Sequence, residues 1–272
     1  MHGYLRECIG ALTEFWQKDP RAVAFAMNGS GGRGNDDEWS DGDVSLVVAD
    51  EAYLSVYNEM RGLMSRYCGE IRLWLPEGET ERGVNFAFLF EKDGEQFLMD
   101  HALFCEGLIK ETPHYDAGVI FFDRSGALTE AGRRFAEHRP EFDVSTLPVI
   151  IDTYMVYTYL NGKYYRRKDT AKMLYIQNTL QGLHFRLLQA LYPDVRFLGW
   201  WCQDIYSLSE EHQQSILMYA AMPDYIAIGA KVIGELLRFG EDARRAAGLY
   251  GKPYPEDQEV FVLRQLKDAG MY

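Results

Sequence analysis

Two acids, Asp41 and Asp43, stand two positions apart, and Gly29-Ser30 precede them by a stretch of ten residues. In an extended strand, side chains at i and i+2 leave the same face, so the two carboxylates point the same way. A pair of hard oxygen ligands fixed like this suits Mg²⁺, which takes one or two carboxylates together with substrate phosphates. Gly29 and Ser30 belong to the same chemistry. Glycine lets backbone N–H groups come close to a phosphate, and a serine hydroxyl offers one more hydrogen bond. A third acid, Asp100, lies in Phe97-Leu98-Met99-Asp100-His101-Ala102-Leu103-Phe104. In so apolar a run a carboxylate is costly unless it meets a cation or a strong donor. Glu106 follows six residues later, just past that run.

These residues need a sheet to hold them. Ala22–Met27 is a short run of small and apolar residues ending in Asn28-Gly29-Ser30, a buried strand entering a glycine loop over 29–40, and Asp43–Val48 is a valine-rich second strand. Leu5, Cys8, Ile9, Leu12, Phe15 and Trp16 fall at helical spacing before them, and 51–66 does so after them. Strands follow at 70–75, 84–90 and 96–104, the last two joined by the hairpin signal Lys92-Asp93-Gly94-Glu95, then at 117–122, with a helix over 128–138. The β-rich pattern stops at Arg139-Pro140. From Val149 the chain is helical, at 149–161, 169–192, 208–221, 225–247 and 256–269, with Gly162, Pro193, Pro223 and Gly248 among the stops. The expected fold is α+β: a mixed β-sheet with helices over 1–140, then an all-helical bundle over 149–272.

Gly29-Ser30…Ser40-Asp41-Gly42-Asp43 resembles the glycine-serine and Asp-x-Asp signature of the nucleotidyltransferase superfamily. The length and the helical second half are similar to the lincosamide and aminoglycoside nucleotidyltransferases. The motif spans about fifteen residues, with a local echo in Phe122–Leu128; Asn28 and Gly42 stand where the family has apolar residues. The resemblance implies a nucleotidyltransferase-type catalytic domain followed by a helical substrate-binding domain. It implies Mg²⁺ on Asp41, Asp43 and Asp100, and either Asp100 or Glu106 as the base that receives an acceptor's hydroxyl proton. Gly29 and Ser30 would meet the phosphates of ATP or another nucleoside triphosphate. Lys163 and Arg167, in the basic cluster Lys163-Tyr164-Tyr165-Arg166-Arg167-Lys168, would reach the triphosphate across a crevice between the domains. The implied acceptor is a small hydroxylated antibiotic or metabolite, an aminoglycoside or a lincosamide first. Two other classes stay open: the nucleotidyltransferase half of a toxin and antitoxin pair acting on RNA or protein, and a relative that binds nucleotide without turnover.

Composition narrows the partners. With 47% hydrophobic and 25% charged residues the chain is ordinary globular, and its net charge of −13 disfavours a nucleic-acid backbone as main partner. The same acidity, with Asp36, Asp37 and Glu38 in the loop and Glu106 and Glu111 beyond the third acid, favours a cationic acceptor. The longest apolar stretch, 216–234, is interrupted by Pro223, Asp224 and Lys231, so no membrane span is expected. Cys8, Cys68, Cys105 and Cys202 lack metal-site spacing and fit a reducing, cytoplasmic setting. Pairing with a second copy is left open. His101 points away from Asp100 across the strand and reads as a packing residue; His184 and His212 have no acidic partner at ligand spacing, and Trp200-Trp201 reads as filling a core gap.

Overall fold

Leu5, Cys8, Ile9, Leu12 and Trp16 make one apolar stripe on a helix over Gly3–Lys18 (α1), and all five are buried. The computed structural model describes residues 1–112, 115–138, 141–197, 200–220 and 223–271. The chain divides into two units, Met1–His138 and Arg139–Tyr272. The first continues with β1 (Ala22–Met27), α2 (Gly29–Arg33), β2 (Gly42–Val48), α3 (Tyr53–Cys68), β3 (Glu70–Glu77), β4 (Gly83–Lys92), β5 (Glu95–Cys105), α4 (Glu106–Glu111), β6 (Val119–Asp123) and α5 (Ala127–Glu137). The predicted glycine loop over 29–40 therefore opens with one short helix.

Among the described residues, the six strands form one sheet in the order β3-β4-β5-β2-β1-β6. β2 and β5 run parallel, and the other neighbours are antiparallel. The hairpin turn between β4 and β5 has positive φ at both Asp93 and Gly94, the conformation that a two-residue turn needs to match strand twist.

Strand alternation gives the sheet two different faces. Phe86, Phe88 and Phe90 of β4 alternate with Phe97, Met99 and Leu103 of β5 and with Val44, Leu46 and Val48 of β2, and together with the stripe of α1 and the buried side of α3 they form the main core. On the second face, Ala24, Ala26 and Val47 pack with Ile109, Leu128 and Ala131 from α4 and α5. Farther along that face, Leu73, Leu89 and Leu98 stand exposed. Asp43, on β2, lies where the packed part of this face gives way to the open part.

The second unit is helical, with α6 (Leu147–Arg166), α7 (Thr170–Leu191), the four-residue α8 (Trp201–Asp204), α9 (Glu210–Leu217), α10 (Tyr225–Leu249) and α11 (Glu256–Asp268). Its core includes Ile150, Tyr154, Met173, Leu180, Val232, Leu236 and Phe239. Asp169, Ser209 and Asp224 cap α7, α9 and α10 by accepting from backbone N–H groups of the first turn. Gly162 does not stop a helix. α6 runs through it, because a side chain there would overlap Gln265 of α11; the glycine permits close helix packing. Trp200 and Trp201 fill no core gap, since both are exposed. No helix is long and apolar enough among the described residues to cross a membrane.

Candidate active site

The parallel register of β2 and β5 places Asp43 directly opposite Asp100. Residues paired in this way share a face, and Asp41 joins them from two positions before Asp43. One carboxylate oxygen from each of Asp41, Asp43 and Asp100 lies within 4.8 Å of the others. Three acids this close repel one another. Burial, then Asp41 and Asp100, pushes the Asp43 carboxyl up to about 6, while Arg33 opposes the shift. Burial and Asp100 likewise raise Asp41. The uncompensated charge and the hard oxygen donors fit a divalent cation, which would favour all three ionised forms.

Asp100 sits on an interior strand and is held by its neighbour. Asn85 Nδ2 on β4 donates to Asp100 Oδ1 at 2.8 Å. Two positions beyond Asp43 on β2, Ser45 Oγ donates to Asn28 Oδ1 at 2.5 Å, so its oxygen accepts from the Tyr115 hydroxyl, also at 2.5 Å. Asn28 Nδ2 in turn donates to the Asp116 carbonyl at 2.6 Å. Burial pushes the Tyr115 phenol up to about 12, which keeps it a donor at neutral pH. Asn28 is polar, rather than apolar as in the resembled signature, because it links this chain of hydrogen bonds. These residues and Asp43, Asn85 and Asp100 line a polar cavity of about 330 Å³.

Gly29 has φ +55, and a Cβ there would run into the Asp43 carboxylate. The glycine therefore makes room for a metal-ready acid as well as turning the chain. The Ser30 hydroxyl is buried and has no hydrogen-bond partner among the described residues. Arg33, the cation that acts on Asp43, follows in the same short helix.

Glu106 is not brought to the carboxylates. Val48 pairs with Cys105 at the far end of the parallel ladder, so Glu106 starts α4 some six residues beyond Asp100, roughly 20 Å along the strand. Its carboxylate pairs with Lys110 at 2.8 Å, and that ammonium holds it below the usual range. Three of the five acids taken as a field for a cationic acceptor, Asp36, Glu106 and Glu111, are paired. Asp36 meets the Met1 amino group and Arg6, and Glu111 meets Arg82 at 2.7 Å. In the helical unit, Lys163 stands in the last turn of α6 with its ammonium 5.5 Å from the Tyr164 ring centroid, and Arg167 caps the same helix.

His101 is fully buried, and burial drives its imidazole down to about 4, so it packs as a neutral ring. His184 and His212 do have an acidic partner, which α10 supplies. Asp242 takes His184 Nε2 at 2.9 Å and His212 Nε2 at 3.1 Å. Ser45, Asn85, Tyr115 and Arg33 were missed by sequence reasoning, and Asn28 was noted only as a departure from the signature; Arg33 carried a signal as the one cation of the 29–40 loop.

No family model matches the chain, and no curated protein does. Among solved structures, the chain is similar to an aminoglycoside 6-adenyltransferase from Bacillus subtilis, at 13% identity and a TM-score of 0.45 over 100% of both chains. It is also similar to a nucleotidyltransferase-like protein from Exiguobacterium sibiricum, at 12% identity and a TM-score of 0.29 over 98% of this chain and 89% of that one.

Proposed function

We propose that the chain transfers a nucleoside monophosphate from a nucleoside triphosphate, ATP first, to a hydroxyl group of a small molecule, with Mg²⁺ as its cation. The observation that carries this reading is the meeting of Asp41, Asp43 and Asp100 on one sheet face, with one oxygen of each within 4.8 Å of the others. These three residues would hold the cation. When bound, it supplies charge that offsets the triphosphate.

The remaining work falls to the protein's own groups. Gly29 keeps space open beside Asp43, and the Ser30 hydroxyl, buried without a protein partner among the described residues, is assigned to a phosphate oxygen. Arg33 adds positive charge next to Asp43. Asn85 fixes Asp100 through Oδ1, and Asp100 is assigned the acceptor proton because Glu106 lies past the end of β5, roughly 20 Å farther along. The acceptor oxygen bonds to the α-phosphorus, the bond from that phosphorus to pyrophosphate breaks, and the proton leaves to Asp100. The unit Met1–His138 is then the catalytic one, and the helical unit is assigned to substrate binding, with Lys163 and Arg167 as triphosphate contacts.

Pyrophosphate release tests the reading. The protein is incubated with Mg²⁺ and each of the four triphosphates against hydroxylated amines. Asp41→Asn and Asp43→Asn should each abolish turnover while the fold persists. A loss of only a few-fold from either would remove the metal assignment.

A further inference from the structure

Asp41 borders a second, larger cavity of about 620 Å³, whose lining differs from that of the polar one. Leu89 and Leu98 are direct cross-strand partners on β4 and β5, on the same face as the carboxylates. Both are exposed, at 43% and 38%, and Leu73 of β3 extends the row as the partner of Leu89. Leu98 precedes Asp100 by two positions, roughly 7 Å along the strand. Trp39, from the loop before β2, lines the same cavity and is 86% exposed. Glu38 and Glu95 also line the cavity, and no Lys or Arg does. Glu38 has no ion-pair partner among the described residues, and the only one of Glu95 is His2, at 3.7 Å.

Such a lining repels a triphosphate, so the nucleotide is not its occupant. It also suits a wholly hydrophilic polycation poorly, because the leucine row and the indole would stay in water. Apolar area left exposed beside a reactive centre is recovered when a ligand covers it, at about 25 cal/mol per Å². We propose that this cavity is the acceptor subsite and that the acceptor is a hydroxylated amine carrying an apolar group. The apolar part lies on Leu89, Leu98 and Trp39, the ammonium meets Glu38 and Glu95, and the hydroxyl reaches Asp41 and Asp100. This rests on the nucleotidyl-transfer reading: the hydroxyl oxygen bonds to the α-phosphorus, pyrophosphate leaves, and the proton goes to Asp100.

N-Methyl-, N-hexyl- and N-octylglucamine share one polyol and one amine and differ only in apolar length; octyl glucoside has the tail without the charge. Below their micellar concentrations, calorimetry on the intact chain without nucleotide should show Kd tightening at least about 10-fold from the methyl to the octyl amine. Octyl glucoside should bind several-fold more weakly than the octyl amine. Leu89→Ser and Leu98→Ser, both at exposed positions, should erase the dependence on tail length, with circular dichroism confirming that they fold. Glu38→Gln and Glu95→Gln should weaken the amines and leave octyl glucoside unchanged. Binding independent of tail length, or insensitive to the two serine variants, overturns the proposal. Pyrophosphate release with Mg²⁺ and ATP then separates the two claims. Release only with hydrophilic acceptors overturns the subsite and leaves the transfer reading standing. The expected binding pattern with no release from any amine overturns the transfer reading, and the acceptor role with it.

Discussion

Adding a methyl group at Gly29 tests how tightly the loop is fitted to the carboxylates. The residue has φ +55, where an L side chain costs about 1–2 kcal/mol. A Cβ there also overlaps the Asp43 carboxylate and comes within 2.9 Å of Asp43 Cβ, so the acid must retreat by about 1 Å. A displacement of that size in a reacting group is worth about 100-fold in rate. Gly34 provides the control: its φ is +72, but nothing lies within 4 Å of a Cβ built there. Gly34→Ala should lower stability by about 1–2 kcal/mol and leave turnover near the starting value. Gly29→Ala should lose a similar amount of stability and, in addition, about 100-fold in pyrophosphate release and most of its affinity for divalent cation. Denaturant melts and cation titration on both variants give the comparison. Equal turnover in the two variants would refute the argument that Gly29 is kept for the sake of Asp43.

The Asp43 carboxyl, raised to about 6 from 3.8, gives stability that is complete below about 3.8 and is lost as pH rises through about 6. With chelator present, melting temperature should therefore fall across that window, Asp43→Asn should reduce the fall, and Mg²⁺ should restore the wild type; a melt that ignores both changes would contradict the repulsion. In the helical unit, Glu235 is fully buried, accepts from Gln177 at 3.0 Å, and is pushed up by burial to about 7 from 4.5. That shift corresponds to roughly 3 kcal/mol of stability, complete below about pH 4.5 and lost as pH rises through about 7. Glu235→Gln should flatten the dependence, as thermal melts at pH 5 and pH 8 will show. Charge reversal at Lys163 or Arg167 should weaken ATP more than adenosine in a binding titration; equal effects on the two ligands would assign these cations to a solvated helix face.

What sequence could show was set by how local each signal is. The period of two in Asp41 and Asp43, the apolar run around Asp100, the Asp-Gly turn after β4 and the helical stripes of α1, α7 and α10 all lie within short windows, and each element appears in the structure. Asn85 against Asp100, and Ser45 against Tyr115, depend on strand register and on partners 15 and 70 residues away, which no window contains. Glu106 lies just past its strand, as expected, but its distance from the carboxylates depends on register in the same way. Six residues is a short step in sequence, but along a strand it is roughly 20 Å, so the acid emerges well away from Asp100. Net charge does not locate the charges, because Arg6 and Arg82 pair with Asp36 and Glu111 from 30 and 29 residues away. The acids left to shape a ligand site are instead Glu38 and Glu95, beside a leucine row that becomes visible only when β4 and β5 are aligned.

The most direct test follows the phosphorus atom. ATP labelled at the α-phosphorus is incubated with Mg²⁺, the intact chain and the hydroxylated amines, and the products are separated. The label should move into covalent linkage with an acceptor, one pyrophosphate should appear for each label transferred, and Asp41→Asn, Asp43→Asn and Asp100→Asn should each abolish the transfer. Label found only in free AMP or ADP, or transfer that survives loss of any one of the three carboxylates, would contradict the claim that they form a nucleotidyl-transfer centre.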